Sequence, residues 1–406
     1  RDWSSDVCSS DLSTSGAGGL ISTADNSGTL ELKSGGATVA TVSSTGLSVA
    51  TGKTLSVGGI TSSPYTMKNR IINGNMAIDQ RNAGASFTPT TTSGYSLDRW
   101  RFDVSQNSKL TVQQNAASVT PPSGFKSYLG VTSSSAYSVG AGDYFILVQA
   151  IEGYNVQDLN LGSSSGSTFT ISFWVRSSLT GTFTGAVNGG NSTSATYPFS
   201  YTISSANTWE QKTITIPATS LGTGWGTTNA LGIQVFFNLG CGATYGGGTA
   251  GAWASGFNYA ASGGTSVVGT NGATFYITGI QLEKGSNATS FDYRPYGTEM
   301  ALCQRYYALV DSGCGTAFAS TGCDIAIVFP VQMRAAPSVS MATARVTDSS
   351  TADYTSTSTN ATFPNTPSTY GGRLRIEGFT GMTANRPAIL LGSGTSAAPA
   401  KISAEL

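Results

Sequence analysis

The sequence predicts an all-β protein, and three features of its composition and pattern support this. Only 10% of the 406 residues are charged, against ~25% in an average soluble domain, so the side chains that favour helices are scarce. Glycine alone accounts for 51 residues, and Ser and Thr are abundant. Short runs rich in Thr, Val, Ile, Tyr and Phe alternate with Gly, Ser and Asn, which is the pattern of strands and turns. We therefore expect strands along the whole chain and very little helix.

Residues 1–12, "RDWSSDVCSSDL", differ from everything that follows them. They lack the basic start, the apolar core and the small-residue cleavage site of a secretory signal. The stretch from Asp2 to Leu12 resembles the translation of a common sequencing-library adapter. We therefore interpret residues 1–12 as an artefact and expect the natural N-terminal region to lie upstream.

Residues 13–65 are interpreted as a β-rich shaft or linker. From Thr29 to Ile60, four short alternating strands are separated by Gly-Gly, Ser-Thr-Gly and Thr-Gly-Lys turns. Because strands this short cannot bury an apolar face alone, we expect them to stack on neighbours in the same chain or in copies of it. A Ser/Gly-rich linker with some β content is the alternative. The stretch Thr61 to Asn69 breaks the pattern and marks a boundary.

Residues 66–297 predict an antiparallel β-sandwich. Their strand-like runs are longer than those of the shaft and are bounded by Gly, Ser, Asn or Pro, with no helical pattern between them. The runs are "YSLDRWRF", "DYFILVQAIEG", "STFTISFWVRSS", "TWEQKTITIP", "LGIQVFFNLG" and "ATFYITGIQLEKG".

Residues 298–406 predict a helical connector followed by a second, smaller β-sandwich. The stretch "GTEMALCQRYYAL" is typical of a helix, with Thr298 as the N-cap, Glu299 in the first turn and Met300, Cys303 and Tyr307 on one face. The Ser/Thr-rich segment from Asp348 to Thr362 is expected to be an exposed loop. The strand-like runs are "CDIAIVFPVQMRAAPSVSM", "GRLRIEGF", "RPAILLGSG" and "AKISAEL".

Charge and residue types exclude several classes of function. With 21 basic and 21 acidic residues the net charge is zero, which leaves no field to hold nucleic acid. No run approaches the ~18 apolar residues that indicate a membrane span, so no membrane insertion is expected. The chain has no histidine, and therefore lacks the commonest general base and the commonest zinc ligand.

The cysteines do not have the paired spacing of a zinc site. Cys8 lies in the suspected artefact and Cys241 is isolated, while Cys303, Cys314 and Cys323 are loosely grouped. Two alternatives remain for the last three: one disulfide among them, or buried free thiols, which the sequence favours.

Three motifs carry a resemblance to a known family. "NRIINGNMAIDQRNAGASF", then "YSLDRW", then "GIQLEKGSNATSFDYRPYGTEMALCQRYY" bracket Asn69 to Tyr307 and resemble a module of phage and prophage tail fibres. That module is a galactose-binding-like jelly roll, similar to carbohydrate-binding modules. "FPVQMRAAPSVS" and the terminal "ISAEL" resemble the small distal sandwich that follows it.

The resemblance implies a homotrimeric, extracellular virion fibre whose distal modules bind bacterial surface glycans during host adsorption. Its contacts with other virion proteins would run through the region upstream of this sequence. No catalytic residues come with the family, and its binding residues vary too much to transfer.

Two further expectations concern the motif residues. Arg99 is expected to form a buried ion pair with Asp98 or Asp79, as part of the scaffold. Related jelly rolls often hold a structural calcium ion, and here Asn73 and Glu283 would supply oxygens. Because this sequence has few of the clustered acidic residues that are usual in such sites, we expect no cofactor and keep calcium as the alternative.

A glycine-rich stretch from Cys241 to Gly264 is the best candidate for a sugar site. Aromatic rings stack on the C–H face of a neutral sugar, and they provide contact area at low entropy cost. Long loops inside compact domains are usually functional or disordered. The alternative is that these rings cap the sandwich or pack against copies of the chain. The candidates are Tyr245, Trp253, Phe257 and Tyr259 in this stretch, and Trp225 in the similar stretch "LGTGWGTTN".

The prediction is a binding protein and not an enzyme. One rival is a tailspike depolymerase that cleaves polysaccharide with two carboxylates. Another is a structural head-decoration or connector fibre. For the depolymerase no pair stands out among the candidate acids, which are Glu152 with Asp158, Glu210, Glu283 and Asp292.

Overall fold

The computed structural model describes most of the chain from residue 30 onward and confirms the all-β prediction, with one α-helix among the described residues. The chain divides into two compact units, Arg1–Thr66 and Met67–Leu406. The described residues are 30–43, 46–50, 53, 56–57, 60–61, 68–91, 93–189, 195–219, 221–348, 353–356, 360–392 and 399–406.

The first unit contains the short strands that the sequence predicts. β1 (Leu30–Ser34), β2 (Ala37–Ser43) and β3 (Gly46–Val49) form an antiparallel sheet in that order, and β4 (Ser56–Val57) pairs with β5 (Ile60–Thr61). Gly35 and Gly36 both have positive φ, which fits the tight turn between β1 and β2.

One face of the three-stranded sheet is apolar. The register pairs Leu30 with Val42 and Leu32 with Ala40, while Val42 also faces Leu47 and Ala40 also faces Val49. Leu47 is 49% exposed and Val42 is 39% exposed. Within the described part of this unit, the apolar face is therefore only partly covered.

The second unit begins with a two-sheet sandwich. A seven-stranded sheet and a five-stranded sheet enclose a core that includes Phe102, Leu147, Phe173, Phe237 and Ile277, all with 0% exposure. The strands are β6 (Gly94–Leu97), β7 (Trp100–Val104), β8 (Leu110–Gln114), β9 (Leu129–Ser133), β10 (Tyr144–Glu152), β11 (Phe169–Ser177), β12 (Gly181–Asn188), β13 (Ala195–Ile203), β14 (Glu210–Ile216), β15 (Leu231–Cys241), β16 (Ala254–Ser255) and β17 (Thr274–Lys284).

The sheet orders are β16-β13-β12-β15-β10-β7-β6 and β14-β11-β17-β9-β8. Every pairing between these strands is antiparallel, as a jelly-roll sandwich requires. Short 3₁₀ helices lie in the connections, at Ala116–Ser118, Gly153–Asn155 and Gln157–Leu159.

The predicted strand "YSLDRWRF" is in fact two strands joined by a turn. Asp98 and Arg99 lie between β6 and β7, and Arg99 has φ 69°, a value that no strand residue adopts. Strands β8, β9, β12 and β13 were not predicted. The sequence of β13 contains Pro198, which argues against a central strand. β16 pairs only with Ala195 and Thr196, so beyond them β13 forms the sheet edge, where proline is tolerated.

The connecting helix α1 (Tyr296–Gln304) is present, but its predicted N-cap is wrong. The helix begins after Pro295, whose carbonyl oxygen accepts the Glu299 N–H at 3.0 Å, so Thr298 lies inside the helix. Tyr307, predicted to share a helix face, begins the next strand. At nine residues, α1 is too short to cross a bilayer, and no other helix in the described ranges is a candidate span.

The smaller second sandwich follows α1. It comprises a three-stranded sheet, β18-β27-β21, and a seven-stranded sheet, β23-β22-β26-β19-β20-β25-β24. Its strands are β18 (Tyr307–Val310), β19 (Gly313–Ala319), β20 (Gly322–Val328), β21 (Ser338–Ser340), β22 (Arg345–Thr347), β23 (Asp353–Thr355), β24 (Ala361–Thr362), β25 (Gly371–Glu377), β26 (Pro387–Leu390) and β27 (Ala400–Ser403).

The expected loop from Asp348 to Thr362 is wrong for its described residues, although several of them, such as Asp353 and Asn360, are exposed as expected. Asp348 is 4% exposed and Ser356 is 0% exposed, and the segment contributes strands β23 and β24. Threonine and tyrosine suit strands, so a Ser/Thr-rich composition did not separate a loop from a sheet edge here.

The four described cysteines are all free, which removes the disulfide alternative for Cys303, Cys314 and Cys323. Cys303 and Cys323 are buried, as predicted, whereas Cys314 is exposed on β19. Burial raises the pKa of Cys323 to about 12, so its thiol is protonated and unreactive at neutral pH. Cys8 lies outside the described residues.

The predicted partner of Arg99 is also wrong. The guanidinium is buried, but it pairs with Glu405 and lies 3.6 Å from the centre of the Tyr306 ring. The Asp98 and Asp79 carboxylates instead accept backbone hydrogen bonds. Asp98 accepts the Gln80 N–H at 2.7 Å, and Asp79 accepts the N–H groups of Asn82 and Gly84. Donors in the segment from Gln80 to Gly84 therefore satisfy both carboxylates, and neither carboxylate pairs with Arg99.

Candidate functional site

The five aromatic residues predicted to bind sugar lie in two clusters of the first sandwich. Trp225 and Trp253 belong to one cluster, and Tyr245, Phe257 and Tyr259 belong to the other. Among the described residues, no ring contact joins the two clusters.

The first cluster is a row of three rings, which we call the tryptophan row: Trp225, Trp253 and Tyr197. The Trp225 and Trp253 ring centroids are 5.8 Å apart with an interplanar angle of 85°, and the Trp253 and Tyr197 centroids are 5.2 Å apart. Each indole N–H donates to a backbone carbonyl, of Leu221 at 3.2 Å for Trp225 and of Pro217 at 2.8 Å for Trp253. Both indoles are half-buried, so they are held in place while part of each ring faces solvent.

Two glycines fix the position of Trp225. A Cβ on Gly226 would lie 1.9 Å from the Leu231 carbonyl oxygen, so only glycine lets this loop approach the start of β15. A Cβ on Gly162 would lie 2.5 Å from the Trp225 ring, and Gly162 also has φ +80°. The indole therefore packs against a backbone that has no side chain in its way.

Trp225 forms one wall of a concave site that we call the end cleft, with a volume of about 160 Å³. The other wall is the 3₁₀ segment that contains Gln157 and Asn160. Both of these side chains are exposed and make no hydrogen bond to other described residues. The end cleft thus combines an aromatic surface with two amides that can both donate and accept.

Sequence reasoning missed Gln157 and Asn160. They lie about 65 residues before Trp225 in the chain, and both have residue types that are common in turns. Asn160 has φ 49°, which fits its position at the end of the 3₁₀ segment. Nothing in the local sequence indicates that this turn faces the Trp225 loop.

The second cluster, which we call the tyrosine cap, comprises Tyr144, Tyr245, Phe257 and Tyr259. Tyr259 lies 5.2 Å from Tyr144, 5.5 Å from Tyr245 and 4.8 Å from Phe257, measured between ring centroids. The cap packs on Phe236, on the outer face of the seven-stranded sheet, where Phe236 is 0% exposed. Phe257 is the most open ring of the cap, at 37% exposed.

Burial keeps the Tyr259 hydroxyl of the cap protonated. Burial raises the pKa of Tyr259 well above its ordinary range, and the nearby Asp103 carboxylate raises it further. Asp103 itself forms a two-bond ion pair with Arg101, at 3.0 Å and 2.9 Å. The Tyr259 hydroxyl is therefore neutral throughout the physiological pH range.

All five acids considered for a depolymerase are engaged by other groups of the protein. Glu152, for example, is 1% exposed and accepts hydrogen bonds from Arg305 at 2.6 Å and from the Tyr306 hydroxyl at 2.6 Å. The partners of the others are Arg70 and Lys284 for Asp158, Lys212 for Glu210, Thr289 and Gln281 for Glu283, and the Asn69 N–H for Asp292.

The residues considered for calcium do not fit a calcium site. The Asn73 amide oxygen accepts the Ile78 N–H at 2.9 Å, and its amide nitrogen donates to backbone carbonyls. Both Glu283 oxygens accept hydrogen bonds from Thr289, at 2.8 Å and 2.6 Å. In the described part of the chain, no group of three or more His, Cys, Asp or Glu side chains could hold a metal ion.

No family model matches the chain, and no curated protein matches it. The enzymatically active domain of tailspike protein 4 of bacteriophage CBA120 is similar at 13% identity and a TM-score of 0.29, over 54% of this chain and 22% of that one. A family 11 carbohydrate-binding module from Clostridium thermocellum, solved with a mixed-linked tetrasaccharide, is similar at 12% identity and a TM-score of 0.25, over 51% of this chain and 100% of that one.

A xylan-binding domain from Paenibacillus barcinonensis is similar at 10% identity and a TM-score of 0.24, over 51% of this chain and 99% of that one. This chain therefore spans less than a quarter of the tailspike structure. At these TM-scores the likenesses do not support a function, which has to be inferred from the geometry of the chain itself.

Proposed function

We propose that this chain is a fragment of a phage tail fibre whose first sandwich binds bacterial surface glycan without cleaving it. The end cleft is the observation that carries this proposal. Ligand sites are concave, mostly apolar and equipped with a few polar groups, and the end cleft has this composition. The Trp225 ring offers an apolar surface to the C–H face of a sugar, and Gln157 and Asn160 offer hydrogen bonds to its hydroxyls.

The binding role is supported by the state of the carboxylates. Glycoside hydrolysis uses one acid and one base or nucleophile, and both must reach the sugar. Here Glu152 is buried beneath Arg305, and the other four acids considered are bonded to neighbouring groups. No charged residue lines the end cleft among its described residues, which favours a neutral sugar.

The fibre role rests on the motifs and on the first unit. The partly exposed apolar face of the three-stranded sheet is suited to contact with other copies of the chain, and we propose a homotrimer. We also propose that the chain contacts other virion proteins and is located outside the cell, on the virion.

Binding is tested by comparing two matched tryptophan variants. Trp209 is also half-buried and also donates its indole N–H to a backbone carbonyl, of Thr120 at 2.9 Å, but it lies outside the end cleft. We expect Trp225→Ala to reduce the glycan-array signal and host-cell adsorption at least tenfold, because the cleft loses its aromatic wall. Trp209→Ala should bind normally.

Equal binding by both folded variants would refute the end cleft as the sugar site. The non-enzymatic role has its own test, in which the purified protein is incubated with host capsule or lipopolysaccharide. We expect no new reducing ends, and their appearance would favour the depolymerase alternative.

A further inference from the structure

A second concave site, which we call the edge cleft, lies at the open edge of the same sandwich. It has a volume of about 290 Å³ and is formed where β13 and β14, from the two different sheets, part from each other. Tyr197 and Ser200 of β13 line one side, and Thr213 of β14 lines the other. Ala250 and Gly251, in the loop that also carries Trp253, close the top.

The tryptophan row connects the two clefts. Trp225 lines the end cleft and Tyr197 lines the edge cleft, while Trp253 lies between them at 5.8 Å and 5.2 Å from the two rings. The three rings come from three separate segments: the β14–β15 loop, the β15–β17 loop and strand β13. Their alignment is therefore a product of the fold.

Polar groups lie at both ends of this row. Gln157 and Asn160 border the end cleft, and the exposed hydroxyls of Ser200 and Thr213 border the edge cleft. None of these four side chains bonds to another described residue, so all four are available to a ligand. The residues that line the two clefts include no charged side chain in the described ranges.

We propose that the two clefts and the tryptophan row form one extended site for a linear, neutral oligosaccharide. This proposal rests on the proposed function and names its ligand class. A single sugar ring covers about the area of one aromatic ring, so the two half-buried indoles, Trp225 and Trp253, with a cleft at each end are matched to several linked sugars. The third ring of the row, Tyr197, is only 6% exposed and packs against Trp253. Binding energy then grows with chain length until both clefts are filled.

The experiment titrates the full chain with malto-, cello- and galacto-oligosaccharides of one to six residues. We expect at least one series to bind with an affinity that rises tenfold or more from the single sugar to the longest members. Thr213→Arg places a bulky side chain at the edge cleft and should remove this rise while leaving short sugars unaffected. Gln211→Arg is the matched control, because Gln211 is an exposed residue of the same strand, outside the edge cleft.

The outcomes separate this inference from the proposed function. If Trp225→Ala loses host adsorption but no neutral series binds, the extended neutral site is wrong and the binding function stands. The same conclusion follows if affinity is independent of length, or if Thr213→Arg behaves like Gln211→Arg. If Trp225→Ala adsorbs normally, the proposed function itself has failed.

Discussion

At the scale of single residues, the buried charged groups of this chain are stabilised in different ways. Arg99 and Glu405 are buried as an ion pair, whereas the buried Asp98 carboxylate accepts two hydrogen bonds from Gln80 and forms no ion pair with a described residue. Burial raises the pKa of Asp98 to about 6, against the opposing effects of the Arg81 charge and of the two Gln80 hydrogen bonds. Asp98 is therefore a group whose proton is bound more tightly in the folded chain than in the unfolded one.

This pKa predicts a specific pH dependence of stability. Between about pH 4 and pH 6 the folded state binds more protons than the unfolded state, so the contribution of Asp98 falls as pH rises through that window, by on the order of 3 kcal/mol in total. Asp98→Asn removes the titration. We expect the difference in unfolding free energy, wild type minus variant, to decrease from pH 4 to pH 6.5 in urea denaturation.

Other acids titrate in both proteins and cancel in that difference. A difference that is constant across the window would show that Asp98 has an ordinary pKa in the folded chain.

At the scale of elements, the three-stranded sheet of the first unit has one apolar face that is partly exposed. Leu30, Leu32, Ala40, Val42, Leu47 and Val49 lie on one face by their register, and Glu31 and Thr41 lie on the other. A sheet of three short strands is marginal in water unless its apolar face packs against something. Among the described residues of this unit, Ala40 is 9% exposed whereas Leu47 is 49% exposed, so the face is only partly covered, and the proposed homotrimer would cover the rest.

Polar substitutions on the two faces test this interpretation. Leu47 lies on the apolar face and Ser48 lies on the opposite face, and both are exposed in the single chain. We expect the wild type and Ser48→Asn to be trimers by light scattering after size-exclusion chromatography. Leu47→Asn should shift the mass towards the monomer, because a buried amide without a partner is costly. A monomeric wild type at micromolar concentration would contradict the homotrimer.

At the scale of the whole second unit, the end of the chain ties the two sandwiches together. The Glu405 carboxylate bonds both Arg81 and Arg99 of the first sandwich, and the Leu406 carbonyl oxygen accepts a hydrogen bond from Arg101 at 3.0 Å. From the second sandwich, Arg334 donates to the Ala404 and Glu405 carbonyls at 2.7 Å and 2.8 Å. The last residues therefore form part of both sandwiches.

Removing the Glu405 charge should destabilise the whole unit. Glu405→Gln leaves Arg99 as a buried cation without a counter-charge, which typically costs ~3–5 kcal/mol. We expect one cooperative unfolding transition at a lower urea concentration, because both sandwiches depend on the same joint. Glu377→Gln, an exposed substitution on β25, is the control and should change stability by less than about 0.5 kcal/mol. Two separate transitions in the wild type would show that the sandwiches fold independently.

The sequence by itself determined what depends on neighbours along the chain. Continuous apolar runs or alternation of apolar and polar residues indicated most long strands, such as β10 and β17, and the candidate aromatic residues were visible from their glycine-rich surroundings. The strand prediction failed where a local signal was ambiguous. Pro198 argued against a strand where β13 lies, and a turn at Asp98 and Arg99 interrupts a run that is otherwise typical of one strand. The start of α1 was misplaced because Thr298 has the residue type of an N-cap, whereas the helix begins three residues earlier, after Pro295, without a side-chain cap.

Only the tertiary structure decided which distant residues meet. Arg99 pairs with Glu405, which is 306 residues away, because the last strand of the second sandwich ends against the first. The five aromatic candidates divided into a tryptophan row and a tyrosine cap because the β15–β17 loop, which carries four of them, crosses from the sandwich edge, where Trp253 meets Trp225, to the outer face of a sheet. Gln157 and Asn160 reached Trp225 because a 3₁₀ turn and the start of β15 are packed together. Pairing of this kind is set by strand order and loop path, and residue types along the chain do not encode it locally.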